Sequence, residues 1–117
     1  MKIRITIGSK SVNATLADNE TSRDFASLLP LTLKLKDYAE TEKIGYPPKK
    51  LSTKGAPPGH DPAAGDITYY APWGNLALFY RDGHDSPGLI KLGSIDSGAE
   101  VLRQPGALKA TFEHVKE

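Results

Sequence analysis

The sequence of 117 residues contains no cysteine, which excludes disulfides, thiolate nucleophiles and metal sites built on cysteine. It also lacks an excess of charge, because 15 lysines and arginines stand against 14 aspartates and glutamates. Broad nucleic-acid binding usually needs a clear basic excess, so we expect no nucleic-acid partner. No apolar run approaches the roughly 18 residues of a membrane span, and residues 1–10 do not form a secretion signal. These absences predict a cytoplasmic protein with no membrane partner.

Hydrophobic residues make up 38% of the chain and charged residues 25%, as is typical of a globular protein. The length favours one domain over residues 1–117. Ile3, Ile5 and Ile7 alternate with polar residues, and this period of two predicts a half-buried strand. A second alternating segment follows a turn, so residues 2–16 form a predicted hairpin.

A short helix is predicted over residues 21–29. Thr21 to Asp24 resembles a capping box, and Phe25, Leu28 and Leu29 follow on one helical face. Pro30 then ends the helix.

Short strands with period-two alternation account for most of the remaining chain. We predict them at 31–36, 67–70, 76–80, 89–95 and 108–112, with a weaker one within 38–46 and one helical turn within 96–102. Residues 47–65 hold five of the nine prolines and are predicted to be irregular. Strands at hairpin spacing cannot form a parallel doubly wound sheet. The pattern therefore predicts a mainly β protein, a small β-barrel of about seven or eight strands with one short helix.

The same periodicities predict which side chains fill the barrel. The expected core positions on strands are Ile3, Ile5, Ile7, Leu33, Leu35, Ile67, Leu78, Ile90, Leu92 and Phe112. The three apolar residues of the helix should pack against the end of the barrel.

Five of the nine aromatic residues fall between Tyr69 and Tyr80. Neighbouring strand residues point to opposite faces, so one residue of Tyr69 and Tyr70, and one of Phe79 and Tyr80, belongs to the core. The others either pack at the surface or form a stacking floor for a ligand. Trp73, in a Pro-Trp-Gly turn, is exposed unless the 47–65 loop covers it.

His60 and His84 lie in loops beside aspartates, where they serve either as turn residues or as a base with its orienting carboxylate. Neither has the spacing of a known metal motif. We therefore predict no metal, no cofactor and no catalytic residue, and we place His60 or His84 at the polar edge of a pocket bordered by aromatics.

Two segments carry a family resemblance. Residues 65–70 (GDITYY) with 76–80 (LALFY), and then 89–102 (LIKLGSIDSGAEVL), resemble the corresponding strands of cyclophilin-like barrels. The resemblance is closer to the small bacterial and archaeal cyclophilin-like proteins of unassigned function, and implies a cyclophilin-like β-barrel.

The departures from true cyclophilins bear on activity. The Phe-His-Arg segment that supplies their amide-polarising arginine is absent, and the nearest region offers only Lys43. Ala77 stands where the resemblance implies a glutamine, and His84 lies near the position of a ligand-facing tryptophan. Only Phe79 matches a hydrophobic pocket residue of true cyclophilins.

The sequence therefore predicts a binding module for a small molecule or a short extended or proline-containing peptide. Its alternative is a divergent peptidyl-prolyl isomerase, and relatives joined to flavodoxin-like domains imply a third possibility, a redox partner of that type. The predicted ligand-binding residues are Tyr69, Tyr70, Trp73, Phe79, His60 and His84.

Overall fold

A computed structural model describes residues 1–116 of the chain. Its regular elements, in chain order, are ten strands, one α-helix and one 3-10 helix. They are β1 (Lys2–Ile7), β2 (Lys10–Leu16), α1 (Glu20–Ala26), β3 (Leu31–Tyr38), β4 (Glu42–Gly45), β5 (Gly59–His60), β6 (Asp66–Tyr70), β7 (Asn75–Phe79), β8 (Ser86–Pro87), β9 (Leu89–Ile95), the 3-10 helix (Ala99–Arg103) and β10 (Leu108–His114).

Eight of the strands close a barrel in the order β1-β10-β3-β4-β7-β6-β9-β2. Every neighbouring pair is antiparallel, which confirms the prediction of a mainly β barrel with one short helix. The remaining strands, β5 and β8, pair with each other as a two-residue ribbon outside the barrel.

The barrel interior holds the side chains that the alternation predicts. All the expected strand positions are buried except Leu33, which is only half-buried at its place on β3. Phe25 of α1 is fully buried and meets Phe112 edge to face, with ring centroids 5.6 Å apart. The helix therefore packs against the barrel, as predicted, although Leu28 and Leu29 are only partly buried.

The start of the helix differs from its prediction. Asn19 is the N-cap, because its side-chain oxygen accepts a hydrogen bond of 2.8 Å from the backbone N–H of Ser22. The Thr21–Asp24 capping box is wrong, because the Asp24 carboxylate accepts hydrogen bonds from Lys49 Nζ and from the Ser52 backbone, both at 2.7 Å. Thr21 and Asp24 also lie inside α1, which begins at Glu20, so Thr21 cannot be the N-cap.

The predicted irregular segment, 47–65, is fixed to the barrel at several points. Leu51 is buried, and its N–H donates to the hydroxyl of Tyr69 over 3.1 Å. The same segment contributes β5, so a short run of ladder pairing survives among its prolines.

Lys43 of β4 is a charged side chain that the barrel encloses. Its ammonium donates to the carbonyl oxygens of Gln104 (2.7 Å) and Gly106 (2.8 Å) and lies 3.3 Å from Asp37 Oδ1. The Tyr80 hydroxyl donates to the same carboxylate over 2.5 Å, and this bond is the main cause of the lowered pKa of Asp37. Lys43 thereby ties β3, β4 and the segment before β10 together.

Replacing Lys43 with alanine should lower the free energy of unfolding by about 3 kcal/mol, because this buried side chain and its contacts with two carbonyls and a carboxylate are lost together. Chemical denaturation measures the change. Lys36→Ala is the matched control, since Lys36 is exposed on the adjacent strand and should change stability by less than about 0.5 kcal/mol. Equal losses in the two variants would contradict this role for Lys43.

Candidate functional site

The outer face of the barrel is apolar where β4, β7, β6 and β9 run side by side. All five residues of β7 are buried, although a strand with one solvated face would alternate between buried and exposed residues. Ala77, Phe79 and Leu89 form a small cluster separate from the interior, with Ile44 and Tyr70 packed against it. This side of the barrel is therefore covered by other parts of the chain.

The cover comes from the loop between β7 and β9 and from the β5–β8 ribbon. A Cβ added at Gly83 would lie 2.9 Å from both the Phe79 ring and Pro62, so the loop passes directly over Phe79. Between this cover and the Pro72–Asn75 turn the structure leaves a cavity of about 180 Å³, which we call the outer pocket. Its lining residues are Tyr38, Glu42, Ile44, Tyr70, Trp73, Asn75, Phe79, Ser86 and Leu89.

Three aromatic rings meet at the mouth of the outer pocket. The Trp73 ring packs edge to face on Tyr38, with centroids 5.7 Å apart, and on Tyr70, with centroids 5.4 Å apart. Trp73 nevertheless stays 52% exposed and Tyr38 43% exposed. These rings form a wall that a ligand can reach from solvent.

The Asn75 amide oxygen and the Glu42 carboxyl at this pocket accept no hydrogen bond from the described residues. Among the buried side-chain polar atoms of residues 1–116, only Asn75 Oδ1 makes no hydrogen bond, while its amide nitrogen donates to the Leu76 carbonyl over 3.0 Å. Glu42 is half-buried, and burial alone raises the pKa of its carboxyl to about 7. Both groups can accept a hydrogen bond from a ligand.

The aromatic residues of the sequence prediction separate into two sets. Tyr70, Trp73 and Phe79 come together at the outer pocket. Tyr69 points into the barrel, is 1% exposed and accepts a hydrogen bond from Leu51, so it cannot touch a ligand in this pocket. The alternation of side chains along β6 decides this difference.

The two predicted histidines lie outside the outer pocket. His60 Nε2 hydrogen-bonds Asp66 Oδ2 over 2.9 Å and lines a second cavity, of about 570 Å³, beside the start of α1. His84 is exposed, and its backbone carbonyl accepts a hydrogen bond from the Ser86 hydroxyl. Neither histidine forms the polar edge of the pocket that holds Trp73, and their part in binding stays a prediction.

The second cavity is larger, but several of its charged groups, Lys91 and Arg23 among them, already have partners. Lys91 lies 3.5 Å from Asp66 Oδ1, and Arg23 pairs with Asp18 at 2.5 Å. The outer pocket is smaller and has unpaired oxygens, which makes it the stronger candidate for ligand recognition.

The described residues offer no metal site and no membrane helix. Across residues 1–116, no three His, Asp or Glu side chains are placed to hold a metal ion. Over the same range, no helix is long and apolar enough to cross a bilayer.

Comparison with known proteins identifies the fold. A model of the cyclophilin-like family matches residues 5–113. The chain belongs to the cyclophilin-like family. The solution structure of the hypothetical protein AF2241 from Archaeoglobus fulgidus has the same fold, with a TM-score of 0.69 and 19% identity over 98% of this chain and 95% of that one. No curated protein matches the chain.

Within this cyclophilin-like protein, Lys43 is not on the outer pocket. The sequence made it the nearest candidate for the arginine of true cyclophilins, but its side chain turns into the barrel and is 1% exposed. Among the residues of 1–116 that line the pocket, none is a lysine or an arginine. Ala77 and Phe79 lie on the outer face.

Several lining residues were not predicted from the sequence. Tyr38 and Glu42 belong to the β3–β4 hairpin, more than 25 positions before the aromatic segment, and reach the pocket only because β4 pairs with β7. In the sequence, Asn75 is typical of an ordinary turn residue. The only feature of the sequence near Tyr38 and Glu42 was the weak strand predicted around Ile44. Nothing in that segment indicates which strand it pairs with.

Because Trp73 is the only tryptophan, its fluorescence reports directly on the pocket wall. Its exposure predicts long-wavelength emission and quenching by iodide in the free protein. Trp73→Ala should cost less than about 1 kcal/mol of stability, whereas Phe25→Ala in the core should cost about 3–5 kcal/mol. Blue emission that iodide cannot quench would show instead that the 47–65 loop covers the indole.

Glu42→Gln should stabilise the protein at pH 8 and leave its stability unchanged at pH 4. Folding raises the pKa of Glu42 from 4.5 to about 7, so the folded state binds this proton more tightly than the unfolded state does. The free energy of unfolding therefore falls as the pH rises through this range and the proton is released. Glutamine removes that penalty. Denaturation curves at both pH values measure it, and Glu40→Gln, in the exposed turn, is the control. A gain that is independent of pH would contradict the assignment.

Proposed function

We propose that the outer pocket binds a small molecule or a short extended or proline-containing peptide, and that the protein acts as a binding module. The observation that carries the proposal is the convergence of Tyr70, Trp73 and Phe79 on one cavity, with Trp73 open to solvent. Rings of this kind bury apolar ligand surface at little cost in conformational entropy.

The lining of the pocket supports binding over isomerase catalysis. Rotation about a peptide bond has a barrier of about 18–20 kcal/mol, and an enzyme lowers it by stabilising the twisted amide electrostatically. Among the lining residues of the described chain, no cation is present to supply this. Lys43 is engaged inside the barrel with Gln104 and Gly106.

The proposal is tested by adding short Xaa-Pro peptides and a fragment library to isotopically labelled protein and mapping the NMR shifts. We expect shifts at the indole N–H of Trp73 and the backbone of Tyr70. Trp73→Leu should abolish the shifts of the Tyr70 backbone, whereas Tyr46→Leu should leave them unchanged, because Tyr46 is an exposed aromatic outside the pocket. Shifts confined to the cavity beside His60 would contradict the assignment of the outer pocket.

A protease-coupled isomerase assay on the same peptides tests the alternative. We expect no acceleration comparable with that of a true cyclophilin. Strong acceleration that Phe79→Ala abolishes would reverse the choice between binding and catalysis. A flavodoxin-type redox partner, which the resemblance implies, stays a proposal that pull-down with such a domain can test.

A further inference from the structure

The outer pocket has the composition of a site for a positively charged group. Tyr38 and Tyr70 each stand nearly perpendicular to the Trp73 indole, with interplanar angles of 82° and 79°. Phe79 lies on the same cavity. The faces of aromatic rings carry negative potential, so rings grouped around one small space attract a cation.

The unpaired oxygens of the pocket have the same preference. Glu42 contributes a carboxyl whose pKa of about 7 leaves it mostly ionised at pH 8. Asn75 Oδ1 is buried without a partner and carries partial negative charge. No lysine or arginine among the described lining residues offsets them.

Ligands of other charge fit this lining poorly. An anion would meet the Glu42 carboxylate, and no lysine or arginine among the described lining residues could receive it. A wholly apolar group would dehydrate the Glu42 carboxylate with no charge to offset the loss, at a cost of about 1–3 kcal/mol. An alkylammonium group attracts the Glu42 carboxylate and the partly negative Asn75 Oδ1 electrostatically, and its alkyl groups pack against the aromatic wall.

We propose that the outer pocket recognises an alkylammonium group, an inference that rests on the proposed binding function and names its ligand class. The cavity of about 180 Å³ suits a single headgroup. Sites for whole drug-sized ligands are about 300–1,000 Å³, so the rest of the ligand extends past the exposed edges of Tyr38 and Trp73.

Choline and its uncharged isostere, 3,3-dimethylbutan-1-ol, test the charge directly, because they share a shape and differ by replacement of nitrogen with carbon. Titrations at pH 8 are followed by Trp73 fluorescence and by the NMR shift of its indole N–H. Choline should bind about tenfold more tightly than the isostere. Equal binding of the two would overturn the inference and leave a general apolar pocket.

Variants test whether the named side chains carry the preference. Glu42→Gln should weaken choline binding by roughly fivefold or more, which corresponds to about 1 kcal/mol. Glu40→Gln changes the net charge equally from the neighbouring turn and should leave binding within about twofold. Glu42→Gln keeps the fold if its expected stabilisation holds, which denaturation of the same sample checks. Equal effects of the two variants would overturn the role of Glu42.

A second matched pair of variants tests the aromatic wall. Trp73→Leu should abolish saturable choline binding, measured by the NMR shifts of Tyr70 and Leu89, while Tyr46→Leu should leave it unchanged. Choline shifts that survive Trp73→Leu, or that lie at the cavity beside His60, would overturn the inference.

A further arm separates the sources of an alkylammonium group. A peptide with one trimethyl-lysine is compared with the same peptide carrying a norleucine there, and both with free choline. Tighter binding of the trimethylated peptide than of choline points to a modified protein as the source, and the reverse points to a free small molecule. If Xaa-Pro peptides shift the pocket while neither choline nor the trimethylated peptide does, the alkylammonium inference fails and the proposed binding function stands.

Discussion

Burial of β7 on both of its faces is the constraint on which this architecture depends. Leu76 and Leu78 fill the barrel, while Ala77 and Phe79 point outward between β4 and β6. An outer face this apolar is unstable in water unless something covers it. The loop after β7 and the β5–β8 ribbon provide the cover, and the outer pocket is the part of that face left unfilled.

A charged side chain, Lys43, helps to hold one end of the barrel closed, whereas apolar side chains fill the rest of the interior. Lys43 satisfies two backbone carbonyls and the Asp37 carboxylate, so its burial is compensated. Because the strand alternates, placing Lys43 inside places Glu42 and Ile44 outside, at the pocket. One register therefore decides both how this end of the barrel is held and which polar group the pocket receives.

The outer pocket concentrates interactions that oppose folding. Glu42 holds a carboxyl in surroundings that disfavour its ionised form, and Asn75 buries an acceptor without a donor. Elsewhere in residues 1–116, buried side-chain polar atoms are hydrogen-bonded. Proteins often depart from optimal stability at functional sites, so these groups agree with the binding function proposed for the outer pocket.

The sequence by itself determined the barrel class, most of its core and the aromatic segment of the site, because alternation over five to seven residues is a local signal. Ile3, Ile5 and Ile7 could face only one way once the strand formed. The tertiary structure alone decided that Tyr70 faces the pocket and Tyr69 the core, that Lys43 is enclosed, and that His60 lies at another cavity. It also brought Tyr38 and Glu42 to Trp73. These outcomes depend on which strands pair and in what register, and pairing between distant segments is set by the closure of the whole barrel, which no local pattern records.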